Sequence, residues 1–189
     1  MDNYSVTTTP DHTAPNAKTP AQGSAFRTDR LTLDPLSPAE LDALIIQNRL
    51  PDWAPDFPQP TDHDAARQFF EAGLNTPTDA LTTRLIRELE TAQVVGTIGF
   101  LLLPEEGDVE VSYSVIPSRR GQGYATEALI AMARNALDQE SVSRVVAYTE
   151  EENDASQSLL LSAGFLPVET PGLGLGFTLS AAQLPEASL

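Results

Sequence analysis

The chain has 189 residues, 41% of them hydrophobic, which suits a single domain with a true core. It carries 27 acidic against 11 basic residues, a formal net charge of -16, and such a surface repels nucleic acid and anionic membranes. Cysteine is absent, which excludes disulfides, thiol nucleophiles and cysteine-held zinc.

Residues 1–24 are rich in Thr, Pro, Ala, Asn and Gln and poor in large apolar side chains. They are expected to form a tail ahead of one domain over 25–180, with a second short tail over 181–189. The N-terminus lacks the basic-then-apolar layout of a signal peptide. Apolar stretches such as Val94–Leu103 are far too short to span a bilayer. The cytoplasm is therefore the expected compartment.

Arg27–Leu36 alternates and reads as a first strand. Ser37-Pro38-Ala39-Glu40 supplies a cap, a first-turn proline and a glutamate three positions after the cap, and predicts a helix to about Asn48. Pro51–Pro60 is a proline-punctuated loop holding Trp53 and Phe57. Thr61 or Asp62 is expected to cap a second helix reaching about Ala72, with Ala65, Phe69 and Ala72 on one face and His63 near its start.

Three strand-like runs follow: Leu81–Glu90, Val94–Leu103 and Asp108–Ile116, joined by turns that suit antiparallel hairpins. Val94–Leu103 is apolar at both parities, as expected of a central strand. Asp108–Ile116 sets Val109, Val111, Tyr113 and Val115 on one face, and Glu110, Ser112 and Ser114 on the other. A helix from about Gly123 to Leu137 carries the stripe Ala125, Ala128, Leu129, Met132, Ala133, Ala136. Arg144–Tyr148 reads as a strand, Asn153–Ala163 as a helix stopped by Gly164, and Phe165–Val168 and Gly176–Leu179 as closing strands. The sum is an α/β chain: an antiparallel meander, then a β-α-β-α-β tail.

The loop Arg119-Arg120-Gly121-Gln122-Gly123-Tyr124-Ala125 joins a strand to a helix. Such a turn offers an anion several backbone N–H groups and the positive end of a helix dipole, and its glycines let the backbone come close to a ligand. Arginines beside it suit phosphate oxygens, so it reads as a pyrophosphate cradle or, on glycine spacing alone, as a plain turn. The nucleotide P-loop does not fit, because no lysine follows the glycines of this loop, and the dinucleotide pattern G-x-G-x-x-G fails at Thr126.

About thirty residues on, Asn153-Asp-Ala-Ser156-Gln-Ser-Leu159-Leu160-Leu-Ser-Ala-Gly164-Phe165 opens on an ordinary helix cap and ends on an ordinary glycine stop. Together the two segments resemble the GNAT acetyltransferase superfamily, and in particular its ribosomal-protein N-terminal acetyltransferase branch. R-T-D-R-L-T-L, D-W-A-P-D-F-P, V-V-G-T-I-G-F and E-V-S-Y-S-V-I-P match that branch as well, so the resemblance spans roughly Phe26–Leu179. It implies a mixed, mostly antiparallel sheet of six to seven strands flanked by about four helices.

The resemblance also implies acetyl-CoA as cosubstrate. Backbone amides of the Arg120, Gly121, Gln122, Gly123, Tyr124 and Ala125 loop would take its pyrophosphate. Val115, at the end of the preceding strand, would lie beside the pantetheine and thioester, and Asn153 and Ser156 near the pantetheine and sulfur. Arg119 would steer phosphates or stay solvated. Many relatives carry tyrosine where this chain has Leu160, which leaves the proton donor to the thiolate open between Ser156 and solvent.

Glu110, on the strand face away from the apolar residues, is the candidate base, or else a solvated carboxylate. Trp53 and Phe57 are candidate acceptor-site walls or simply core, and His63 is a candidate cleft residue or a surface histidine. Glu150-Glu151-Glu152 reads as a solvated turn, and no metal site is expected. The expected function is transfer of acetyl from acetyl-CoA to a primary amine, either a protein N-terminus or a small amine. Neither nucleic acid nor membrane is an expected partner, and a homodimer is left open. The alternatives are a noncatalytic acyl-CoA-binding sensor or interaction module and, less well supported, a nucleotide-binding domain.

Overall fold

The structure, a computed structural model, describes residues 25–71, 81–100, 107–170 and 174–184. The expected tail over 1–24 lies outside them, as do Ala72 and Leu101–Leu103 at the ends of two expected elements.

The alternating runs pair into one sheet of eight strands in the order β1-β2-β3-β4-β5-β6-β8-β7. They are β1 (Phe26–Arg27), β2 (Leu31–Pro35), β3 (Arg84–Glu88), β4 (Val94–Phe100), β5 (Asp108–Val115), β6 (Arg144–Thr149), β7 (Leu166–Val168) and β8 (Leu175–Ser180). Every pairing is antiparallel except β5 with β6. The expected first strand is two. A turn closed by the Thr28 amide on the Leu31 carbonyl, 3.0 Å apart, folds Phe26–Arg27 back on Leu33 and Thr32. That break accounts for the strand beyond the expected six to seven.

Four helices flank the sheet: α1 (Pro38–Ile45), α2 (Pro60–Glu71), α3 (Tyr124–Leu137) and α4 (Asp154–Ser162). α1 starts on the expected reciprocal cap between Ser37 and Glu40. α3 buries Ala128, Leu129, Met132, Ala133 and Ala136, and its small side chains let it lie close on the sheet. As the crossover between two parallel strands, it has the place such a connection requires. Val94 to Phe100 is buried at every position, as befits a central strand.

α2 differs from its expected form. It begins at Pro60, and neither Thr61 nor Asp62 is its cap. The Asp62 carboxylate accepts instead from the Gln59 amide at 2.8 Å, from Thr97 Oγ1 at 2.7 Å and from Ser114 Oγ, which pins the helix to β4 and β5. A buried carboxylate needs such partners to offset its lost hydration. The buried face runs through Asp62, His63 and Ala66 rather than Ala65. His63 is buried, with Nδ1 2.9 Å from the Leu44 carbonyl oxygen. Trp53 and Phe57 are core: both are buried and meet edge-on with ring centroids 4.9 Å apart. Residues 181–183, assigned by sequence to the second tail, form a 3-10 turn.

Candidate active site

The site starts where two strands part. β5 and β6 pair through Asp108↔Arg144, Val109↔Val145 and Glu110↔Val146, and the ladder stops there. β5 continues to Val115 and β6 to Thr149 without further pairing to each other. Backbone groups on the two facing edges are thereby released from the sheet. A cavity of about 330 Å³ fills the fork, lined among others by Glu110, Tyr113, Tyr148, Asn153, Ser156 and Leu160.

β5 leads directly to the glycine loop. A 3-10 turn, Pro117–Arg119, follows, and Gly121 and Gly123 both take left-handed backbone, with φ of 72° and 80°. Gly123 is the N-cap of the 14-residue α3. The amides of residues 121–126 donate to no other described residue. A Cβ built on Gly121 would meet nothing within 4 Å. A row of unspent N–H groups at the start of a long helix, beside open space, is the geometry that binds an oxyanion.

The loop is framed from outside. Arg120 Nε donates to the Val115 carbonyl at 3.0 Å, so Val115 anchors the cradle's arginine. Arg30, from the turn before β2, donates through Nη1 to the Gln122 carbonyl at 2.8 Å and pairs with Glu127. Its guanidinium lies 4.8 Å from the Tyr124 ring centroid. Arg119 Nε stands 2.7 Å from Glu88 Oε1, so this arginine is spent on an ion pair rather than left for phosphate steering. Ser118 binds the Asp56 carboxylate through both N and Oγ.

Burial alone would raise the carboxyls of Glu88 and Glu127. Hydrogen bonds from Thr91, Arg119 and Tyr124 to Glu88, and from Thr28 and Arg30 to Glu127, more than offset it and hold both below the usual value. Arg30 was not singled out by sequence. Its position near Gly123 depends on a contact 97 residues away, which local pattern does not encode.

The other candidate residues meet in the fork. Glu110 sits at the last paired position, half-buried, and burial raises its carboxyl above the usual range. Asn153 caps α4, its side-chain oxygen accepting from the Ser156 amide at 3.1 Å. The plain cap and the cavity-lining role thus coincide in one residue. Ser156 and Tyr113 line the same cavity, and Leu160 is buried in its wall. Tyr113 was read from sequence as one of the apolar-face residues of its strand. The ring lines the cavity together with Ser156 and Leu160 of α4.

Among the described residues, no group of three or more His, Cys, Asp or Glu is arranged to hold a metal ion. Likewise, no described helix is long and apolar enough to cross a membrane. The run Glu150 to Glu152 is exposed, and Glu150 stands at the cavity.

Residues 30–166 match the family model described as Acetyltransferase (GNAT) domain. A Bacillus subtilis (strain 168) protein, "Uncharacterized N-acetyltransferase YjdG", is 34% identical over 93 residues, covering 49% of this chain and 55% of its own length. "Uncharacterized N-acetyltransferase YoaA" of the same organism is 32% identical over 81 residues, 42% of this chain and 46% of its own. The chain thus spans about half the length of the curated relatives it matches.

Among solved structures, the ribosomal-protein-S5-alanine acetyltransferase from Vibrio fischeri aligns with a TM-score of 0.58 at 14% identity, covering 86% of this chain and 100% of that one. The microcin C7 self immunity acetyltransferase MccE, in complex with acetyl-CoA and AMP, aligns with a TM-score of 0.57 at 16% identity, over 81% and 93%. At such identities these two show a shared fold.

Proposed function

The chain belongs to the GNAT acetyltransferase family, and on that premise we propose that it moves an acetyl group from acetyl-CoA to a primary amine. The observation that carries this reading is the row of uncommitted amides over residues 121–126, next to a fork whose strand edges are open. A diphosphate fits the first and an extended pantetheine arm the second. Support for the donor also comes from the MccE structure, which holds acetyl-CoA on the same fold.

In this reading the amides of Gly121, Gln122, Gly123, Tyr124 and Ala125 grip the pyrophosphate; the Arg120 amide is spent on the Pro117 carbonyl, so Arg120 serves through its guanidinium, which the Val115 carbonyl holds in place. Asn153 and Ser156 flank the pantetheine and the sulfur. The amine must be neutral to attack: an α-amine ordinarily titrates at about 7.7–8.0, a lysine amine at about 10.4. Glu110 takes the proton, directly or through a water, from the acceptor side of β5. Its raised carboxyl makes it a better base than a fully solvated glutamate. The acceptor class is a protein N-terminus or a small amine.

A noncatalytic acyl-CoA-binding role is the second reading, favoured by the buried, apolar Leu160 in the cavity wall. Thiol release from acetyl-CoA, measured with peptides bearing free N-termini and with small amines, separates the two. Turnover with any amine supports transfer. Tight acetyl-CoA binding without transfer to any amine supports the sensor, and preference for NAD over acetyl-CoA would remove both.

A further inference from the structure

Resting on the acetyl-transfer reading, we propose that the acceptor is a polypeptide N-terminus carrying apolar and basic residues, which lies across the exposed sheet face running from Glu110 over β6 and β8 to β7.

The strand register lays out that face. Glu110 pairs with Val146, Val146 with Thr178, and Thr178 with Leu166. The next row along holds Tyr148, Gly176 and Val168. Residues opposite one another in a sheet project to the same side, so both rows share the side of Glu110. The other side carries Val145, Ala147, Phe177 and Leu179, all of them buried in the core. Of the large apolar and aromatic side chains left exposed among the described residues, Tyr148, Leu166 and Val168 fall on the Glu110 side. A contiguous apolar patch open to water marks a surface that a partner covers.

Three features of the patch point to an acceptor chain. The first is continuity: the row that ends at Leu166 begins at Glu110, and Tyr148 lines the same cavity as Glu110. Whatever rests on the patch therefore has one end at the carboxylate that takes the amine proton. The second is extent. Neighbouring strands lie about 4.8 Å apart, so the three steps from β5 to β7 span about 14 Å, the reach of about four extended residues. A compact amine would occupy only the Glu110 end. The third is charge. Arg144, one row below, is tied to Asp108 at 2.7 Å, whereas Glu110, Glu150 in the cavity and Glu169 beside Val168 are in no ion pair among the described residues. With a formal net charge of -16 behind them, these carboxylates favour a basic segment and oppose an acidic one.

The test uses the full chain, acetyl-CoA and synthetic peptides with a free α-amine, leucine at the second position and arginine at the fourth. The peptides are cut to one, two, four and eight residues, and thiol release is followed. The kcat/KM should climb by about 10-fold or more up to four residues and then level off. Exchanging the arginine for glutamate should lower it by about 10-fold at low salt and less at high salt. Leu166→Ser combined with Val168→Ser should raise the KM of the eight-residue peptide about 10-fold, with kcat within about twofold. Both positions are exposed, and an unchanged calorimetric affinity for acetyl-CoA shows that the double variant is folded. A kcat/KM indifferent to length, a preference for the glutamate peptide, or a wild-type peptide KM in the double variant overturns the assignment and leaves acetyl transfer standing. So does a wild-type dimer in sedimentation that the double variant dissolves, which gives the face to a second copy. No transfer to any peptide or small amine overturns both.

Discussion

Arg30 and Glu127, 97 residues apart, meet with Nη2 2.7 Å from Oε2, directly behind the glycine loop. The same carboxylate accepts from the Arg30 amide at 2.9 Å and from Thr28 Oγ1, and the same guanidinium holds the Gln122 carbonyl. The first turn of the domain thereby fixes the start of α3. Turning the Gln122 carbonyl outward leaves the neighbouring amides for a ligand. Glu127→Ala should weaken acetyl-CoA binding by about 1 kcal/mol, about fivefold, a charged hydrogen-bond value reduced for the exposure of Arg30. Titration calorimetry checks this, and an unchanged affinity would separate the ion pair from the cradle.

Gly121 and Gly123 both sit in left-handed backbone. An L-residue there costs about 1–2 kcal/mol, and a Cβ on Gly121 would project into open space where the anion is proposed to lie. Gly121→Ala should raise the KM for acetyl-CoA with a smaller change in kcat. Gly123→Ala should do so too and also lower Tm, since Gly123 caps α3 and its Cβ would approach Arg30 Nη2 at 3.4 Å. Steady-state kinetics at saturating amine reads both effects.

Glu110 acts as a base only when ionised. Because burial raises its carboxyl above the ordinary value of about 4.3, activity should fall as pH drops through a value above that one. In Glu110→Gln that acid limb should vanish and kcat/KM should drop by about 100-fold or more. A Gln variant with full turnover across pH removes Glu110 from the mechanism.

Glu88 and Glu127 have carboxyls held below their usual value in the folded chain. The sign is that of acid loss: their contribution to stability is complete above the unfolded value of about 4.3 and disappears as pH falls through the lower folded values. Urea unfolding should show this contribution intact down to about pH 5 and lost progressively from there to about pH 3 and below. Glu88→Gln should be less stable than wild type at neutral pH and flatter toward acid. A Glu88→Gln variant with the wild-type slope would contradict this account of the Arg119 pair.

The local parts of the fold were legible in the sequence because their causes are local. The Ser37 and Glu40 cap, the α3 stripe, the Asn153 cap and the strand parity of β5 each follow from spacing within a few residues. The family was legible because two such segments occur together. What the sequence hid depends on contacts made across the chain. Arg27 to Leu36 alternates throughout, and only the Thr28 turn divides it. Asp62 looked like a cap and is a buried tie to Thr97 and Ser114. Arg119 reads as free in the sequence, and its partner Glu88 lies on a distant strand.

The central claim is that the amides of residues 121–126 hold the diphosphate of acetyl-CoA. A crystal structure with acetyl-CoA bound measures this directly. Phosphate oxygens should lie about 2.7–3.2 Å from several of those nitrogens, with the thioester in the fork between β5 and β6. A ligand seated elsewhere, or a loop whose amides turn away from the phosphates, would contradict it.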